Sequence, residues 1–144
     1  MKKKVAIVFF VISIIASLSL MGCISLQERL GLYRNHDSQF TIKELVVAED
    51  VQNREPVGVS DTFSSTRGKV YCFIKATDIA QDSEIIVTWY FEEKKIYTYT
   101  LPLKKGNRWR TFAYKNVSGK KGDWRVVIRD SDRHIYKSAP FTVK

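Results

Sequence analysis

Arg108-Trp109-Arg110 places two guanidinium groups around an indole, and Trp124-Arg125 repeats the pairing further along. Guanidinium groups hold anions and lie flat on aromatic faces, so this pattern belongs to binding rather than bond-breaking. Lys120, Lys121 and Arg129, with Lys104 and Lys105 nearby, extend the candidate set. Together these residues make a basic binding surface if their strands are neighbours. The competing reading is a solvated basic face. Parity assigns Trp124 to the core with Val126 and Ile128, and Trp89 with Ile85 and Val87. Trp109 runs in phase with Thr111 and Ala113, which leaves core and site both open.

Catalytic constellations do not emerge. Hydrolysis through a nucleophile needs a base held beside it. The two histidines are His36, in a polar stretch, and His134, beside a turn. There is no Gly-x-Ser-x-Gly elbow, no His-x-x-x-His, no Cys-x-x-Cys, no calcium loop and no Gly-rich phosphate loop. Asp130-Ser131-Asp132 is turn chemistry. Glu92 and Glu93 are adjacent, so in a strand they point to opposite faces. The expectation is a protein that is not an enzyme, with no cofactor and no metal. The alternative, an envelope enzyme on cell-wall or glycan substrates, requires a cleft with convergent ionisable groups.

The N-terminus carries covalent chemistry. Met1-Lys2-Lys3-Lys4 is basic, and Val5 to Leu20 is apolar apart from three serines and free of charge. Those residues fall short of the ~20 that span a bilayer as a helix. Basic head, short apolar core and small residue form the order of an export signal. Leu20-Met21-Gly22-Cys23 resembles the lipobox of bacterial lipoproteins, although Met21 is larger than the usual residue there. The resemblance implies a cleaved signal peptide over 1–22 and an acylated Cys23. Two acyl chains on that residue make a stable membrane anchor. The implied location is the bacterial cell envelope, facing the periplasm or exterior. Ile24 is not the Asp that retains some lipoproteins at the inner membrane, which favours the outer membrane in a cell with two.

The chain has 144 residues and a net charge of +9, with 44% hydrophobic and 12% aromatic residues. That length allows one ordinary domain, and that composition excludes wholesale disorder. The signal holds three of the positive charges and no acid, leaving +6 for the mature chain. Residues 23–103 carry nine bases and twelve acids; residues 104–144 carry twelve bases and three acids. Such asymmetry marks either an anionic partner or a solvated face near an anionic membrane. Nucleic acid is set aside, because an anchored envelope protein rarely meets it.

Residues 23–40 read as a tether, with a short helix opening on the capping pattern Ser25-Leu26-Gln27-Glu28 and ending at Gly31. Residues 41–144 read as an all-β domain. Alternation and turn signals predict strands at Ile42–Val51, Val57–Phe63, Lys69–Ala76, Glu84–Phe91, Ile96–Leu103, Arg108–Tyr114, Trp124–Arg129 and Ile135–Val143. Seven or eight strands in that length predict an antiparallel immunoglobulin-like β-sandwich. Val70, Cys72 and Ile74 should face inward, as should Ile85, Val87, Trp89 and Phe91, and Tyr97, Tyr99, Leu101 and Leu103. Arg108–Tyr114 has large residues in both phases, so it is covered on both faces or carries a bulge. Cys72 and Trp89 resemble the Cys and Trp of immunoglobulin domains, without the second Cys. Cys72 is therefore expected to be a buried, unreactive thiol.

Trp89-Tyr90, Arg108-Trp109-Arg110-Thr111, Gly122-Asp123-Trp124-Arg125-Val126 and Phe141-Thr142-Val143 resemble, in order and spacing, the bacterial family called domain of unknown function 2914. The resemblance runs from about Val57 to Val143. It implies an exported or membrane-joined all-β domain and carries over no active site. The turn Glu92-Glu93-Lys94-Lys95 lacks the Gly expected there. The functional expectation is a non-catalytic, lipid-anchored envelope domain. It binds a protein partner or anionic polymer through its basic C-terminal half; oligomeric state is not legible.

Overall fold

The computed structural model describes residues 38–144. The signal peptide, Cys23, residues 24–37 of the tether with the short helix, and His36 lie outside the described residues. The described chain holds nine strands: β1 (Thr41–Gln52), β2 (Glu55–Val59), β3 (Thr62–Phe63), β4 (Lys69–Ile79), β5 (Ser83–Phe91), β6 (Lys94–Leu103), β7 (Gly106–Asn116), β8 (Gly122–Arg129) and β9 (Ile135–Val143). They form a four-stranded sheet in the order β2-β1-β4-β7 and a five-stranded sheet in the order β3-β9-β8-β5-β6. Each sheet buries one face against the other, which is the only way so few strands can hide their apolar side. The fold is an immunoglobulin-like β-sandwich.

The core follows the predicted parity. Val70, Cys72 and Ile74 of β4 face Ile85, Val87 and Trp89 of β5 and Trp124, Val126 and Ile128 of β8, all buried. Phe141 ties the indoles together, 6.1 Å edge-on to Trp89 and 5.8 Å stacked on Trp124. Cys72 sits on β4 and Trp89 on β5, with aliphatic Val126 and Ile128 on β8. The described domain thus replaces a disulfide bridge with packed apolar volume.

Several expectations change. Val57–Phe63 is two strands: β2 pairs with β1, while β3 runs parallel to β9 in the other sheet. Ser60-Asp61 makes the corner. Ser60 Oγ donates to the Thr62 carbonyl and accepts its N–H, and Thr142 N–H donates to the Asp61 carbonyl. Phe40, assigned to the tether, is buried and stacked 4.8 Å from Tyr136. Tyr97 shares the inward face, opposite Trp89, but is 45% exposed because β6 is an edge strand; Lys115 Nζ lies 4.8 Å over its ring. Tyr99, Leu101 and Phe91 are half-buried. Strand β7 is covered on its outer face only in part: Ala113 is buried inward and Arg110 is half-buried, while Phe112 and Tyr114 are exposed.

The Glu92-Glu93 turn forms without Gly. Both residues take positive φ, 47° and 60°, as in a type I′ hairpin loop. Their side chains offset the strain: Glu92 Oε1 accepts the Asp123 N–H at 2.8 Å, and Glu93 pairs with Arg125 at 2.6 Å. This close approach explains Gly122 in the Gly-x-Trp-x-Val segment. A Cβ there would collide with the Glu92 carboxylate, and the residue holds φ at +139°.

Candidate binding site

The structure divides the predicted basic surface in two. Arg108, Trp109 and Arg110 lie on β7 in the four-stranded sheet, whereas Arg125 and Arg129 lie on β8 in the five-stranded sheet. The condition for a single surface, neighbouring strands, is not met. Lys120 and Lys121 sit in the loop between β7 and β8, where the Lys120 carbonyl accepts the Trp124 indole N–H at 3.1 Å.

Arg125 and Arg129 are occupied by the fold. Arg125 pairs with Glu93 at 2.6 Å and lies 4.7 Å from the Tyr90 ring centroid. Arg129 Nη2 donates to the Tyr90 hydroxyl at 2.6 Å. Val127, between them on the same outward face, is buried. Charge asymmetry is also offset in part. Lys104–Asp82, Arg110–Glu55 and Arg125–Glu93 each join a base of the C-terminal segment to an acid from earlier in the chain.

The outer face of the four-stranded sheet is different. Register places Tyr71 opposite Tyr114, Phe73 opposite Phe112, Lys75 opposite Arg110 and Thr77 opposite Arg108. Opposed residues share a face, so aromatic rows grade into basic ones along β4 and β7. Tyr71 lies 6.0 Å from Phe112 and 5.5 Å from Tyr114, and Lys69 Nζ caps Tyr114 at 4.6 Å. Phe112 and Tyr114 are both more than 40% exposed.

The β1–β2 hairpin folds over this face. Glu44 stands opposite Lys75, and Lys75 opposite Arg110. Glu55 stands opposite Gln52, eight residues beyond Glu44 on β1. On a flat sheet that separation is roughly 26 Å at ~3.3 Å per residue. Yet Glu55 and Arg110 form an ion pair at 2.7 Å. The hairpin therefore bends back across the sheet. Gly58 contributes: its φ is +66°, and a Cβ would meet the Glu49 side chain at 2.6 Å. Phe73, on the outer face, is buried as a result.

Between hairpin and sheet lies a hollow of about 380 Å³. Val51 and Arg54 border it from the hairpin; Phe73, Arg108, Arg110 and Phe112 border it from the sheet, with Trp109 and Thr111 at its edge. All its charged residues are arginines. Arg54 holds φ at +63° in a two-residue turn after Asn53. Sequence reasoning found Arg108, Trp109 and Arg110 but missed Arg54, Val51, Phe73 and Phe112. The one available signal was Asn53-Arg54, an arginine where such a turn favours glycine.

Other candidates resolve into structure. Glu92 and Glu93 are engaged at their hairpin, as described. Asp130 is buried and accepts the His134 N–H at 2.9 Å, while the His134 ring meets Tyr136 edge-on at 4.9 Å. Burial first, and Asp130 second, push the Tyr136 hydroxyl up to about 12. Burial pushes the Cys72 thiol up to about 12, so it is inert at neutral pH. Among the described residues no three His, Cys, Asp or Glu side chains gather as metal ligands, and no helix is long and apolar enough to cross a membrane.

No curated protein matches this chain. In fold it is similar to the crystal structure of the C-terminal domain of wzt, with a TM-score of 0.50 over 74% of each chain at 10% identity. At that identity the likeness concerns the fold alone. Residues 82–143, from just before β5 to the end of β9, match the model of the family described as Protein of unknown function (DUF2914), a shorter span than the resemblance from Val57.

Proposed function

We propose that this protein is a non-catalytic, lipid-anchored envelope protein whose β-sandwich binds an envelope partner through the outer face of its four-stranded sheet. The observation carrying the binding half is the exposed pair Phe112 and Tyr114 on that face, beside Arg108 and Lys69. Exposed rings bordered by cations lose hydration at little cost and gain contact area on binding. The anchoring half rests on the sequence through Cys23: a short uncharged apolar segment, then Leu-Met-Gly-Cys.

One experiment tests both halves. The full chain is expressed in a bacterium with its own signal, extracted in detergent and used to retain components of solubilised envelope at low and moderate salt. One defined component should remain at moderate salt with the wild type and be lost with Phe112→Ser/Tyr114→Ser. Retention only of material stripped by salt overturns the binding reading. Cys23→Ala should move the protein out of the membrane fraction; an unchanged distribution overturns the anchor.

A further inference from the structure

We infer that the hollow beneath the β1–β2 hairpin holds a carboxylate-bearing sugar residue of an acidic polysaccharide, and that the Phe112–Tyr71–Tyr114 rings carry the next residues of the same polymer. This deepens the binding role proposed above and rests on it.

The charge of the hollow selects an anion. Arg54 and Arg108 have no ion-pair partner among the described residues, and only Arg110 is neutralised, by Glu55. Arg110 Nε, on the face that borders the hollow, is a buried donor without a hydrogen-bond partner among the described residues. A carboxylate matches the planar fork of a guanidinium with two parallel hydrogen bonds.

The walls select what carries the anion. Phe73, Phe112 and Val51 are apolar, so the ligand presents a hydrophobic face beside its charge. A hexuronate has that form, with C–H groups on a ring face and a carboxylate at its edge. A volume of about 380 Å³ lies at the small end of ligand sites and suits one or two sugar rings. A flat membrane surface cannot fill a hollow roofed by a hairpin. The aromatic row leaving the hollow, with ring spacings of 6.0 and 5.5 Å, gives a repeating polymer consecutive stacking positions.

Arg54 supplies an independent sign. Its φ of +63° falls in the second position of a tight hairpin turn that glycine occupies without strain. The fold thus keeps a strained arginine where glycine is better for stability, and its side chain borders the hollow. Strain of this kind gathers at binding sites.

The test uses the full lipoprotein in detergent micelles and isothermal titration with three oligouronates: galacturonate, mannuronate, and alternating glucuronate–N-acetylglucosamine. Methyl-esterified galacturonate and oligoglutamate serve as controls. At least one oligouronate should bind, with affinity falling tenfold or more on esterification and on Arg108→Ala. Arg54→Gly is the decisive variant: it should unfold at higher denaturant concentration than wild type yet bind tenfold or more weakly. Four outcomes overturn the inference: no oligouronate binds; oligoglutamate binds equally well, which marks an acidic-peptide or charge-only surface; esterification has no effect; or Arg54→Gly and Arg108→Ala bind as wild type. If envelope retention persists in those two variants and fails in Phe112→Ser/Tyr114→Ser, the binding role stands and the hollow's assignment falls.

Discussion

The Tyr99 hydroxyl donates a 2.9 Å hydrogen bond to the main-chain carbonyl of Tyr114. Tyr99 belongs to β6 and Tyr114 to β7, the edge strands of opposite sheets. One side chain therefore closes the rim of the sandwich and occupies an acceptor on an open edge. Edges left bare invite further strands, so this contact also limits unwanted pairing. The neighbouring Lys115–Tyr97 contact reinforces the same rim.

Tyr99→Phe should cost about 1 kcal/mol, the usual net worth of one such hydrogen bond. Urea denaturation checks it. No shift in midpoint would show that the rim is held by packing alone.

Gly122→Ala should destabilise by about 2 kcal/mol or more, because the new Cβ meets Glu92 and the backbone must hold a φ that alanine resists. Adding Glu92→Ala relieves only the collision. The double variant should recover part of the loss, read as a partial return of the urea midpoint.

The two groups of arginines should separate in stability measurements. Arg108→Ala removes an exposed side chain that has no ion-pair partner among the described residues, and should change stability by less than about 0.5 kcal/mol. Arg129→Ala removes the charged hydrogen bond to the Tyr90 hydroxyl and should cost roughly 1–2 kcal/mol. Equal effects at both positions contradict the division.

Thiol titration reads two features together. Native protein at pH 8 should present no reactive thiol, because Cys72 is buried and Cys23 is acylated under the proposed anchoring. Unfolding in guanidinium should release one. A reactive thiol in the native protein indicates an unmodified Cys23.

Alkaline stability follows from the same thiol. Cys72 ionises near 9.0 when unexceptional and at about 12 in the fold, and Tyr136 moves from 10.0 to about 12. The unfolded state therefore releases protons first. The stability contributed by the neutral groups is complete below pH 9 and is lost as pH rises through 9 to 12. Thermal melts should shift downward over that range, and Cys72→Ala should flatten part of the slope. An unchanged slope assigns the loss to Tyr136 and other groups.

Local pattern determined a good deal by itself. Parity named Trp89, Trp124, Cys72, Val126 and Ile128 as core, because side chains on a strand alternate and one face must leave water. Turn residues bounded most strands within a few positions, and their number implied a two-layer sandwich. Other features depended on contacts between distant segments. A strand's sequence does not state its sheet, so Val57–Phe63 read as one element although its halves pair with different sheets. Nor does it state its neighbours. Arg108 and Arg125 looked like parts of one surface until the strand order put β7 and β8 in opposite sheets. The hairpin that carries Arg54 over Phe73 was invisible for the same reason: a bend shows in sequence only as Gly58, and its destination is set by the Glu55–Arg110 pair across the sheet. Periodicity fixes which way a side chain points within its strand, and only tertiary pairing decides what stands opposite.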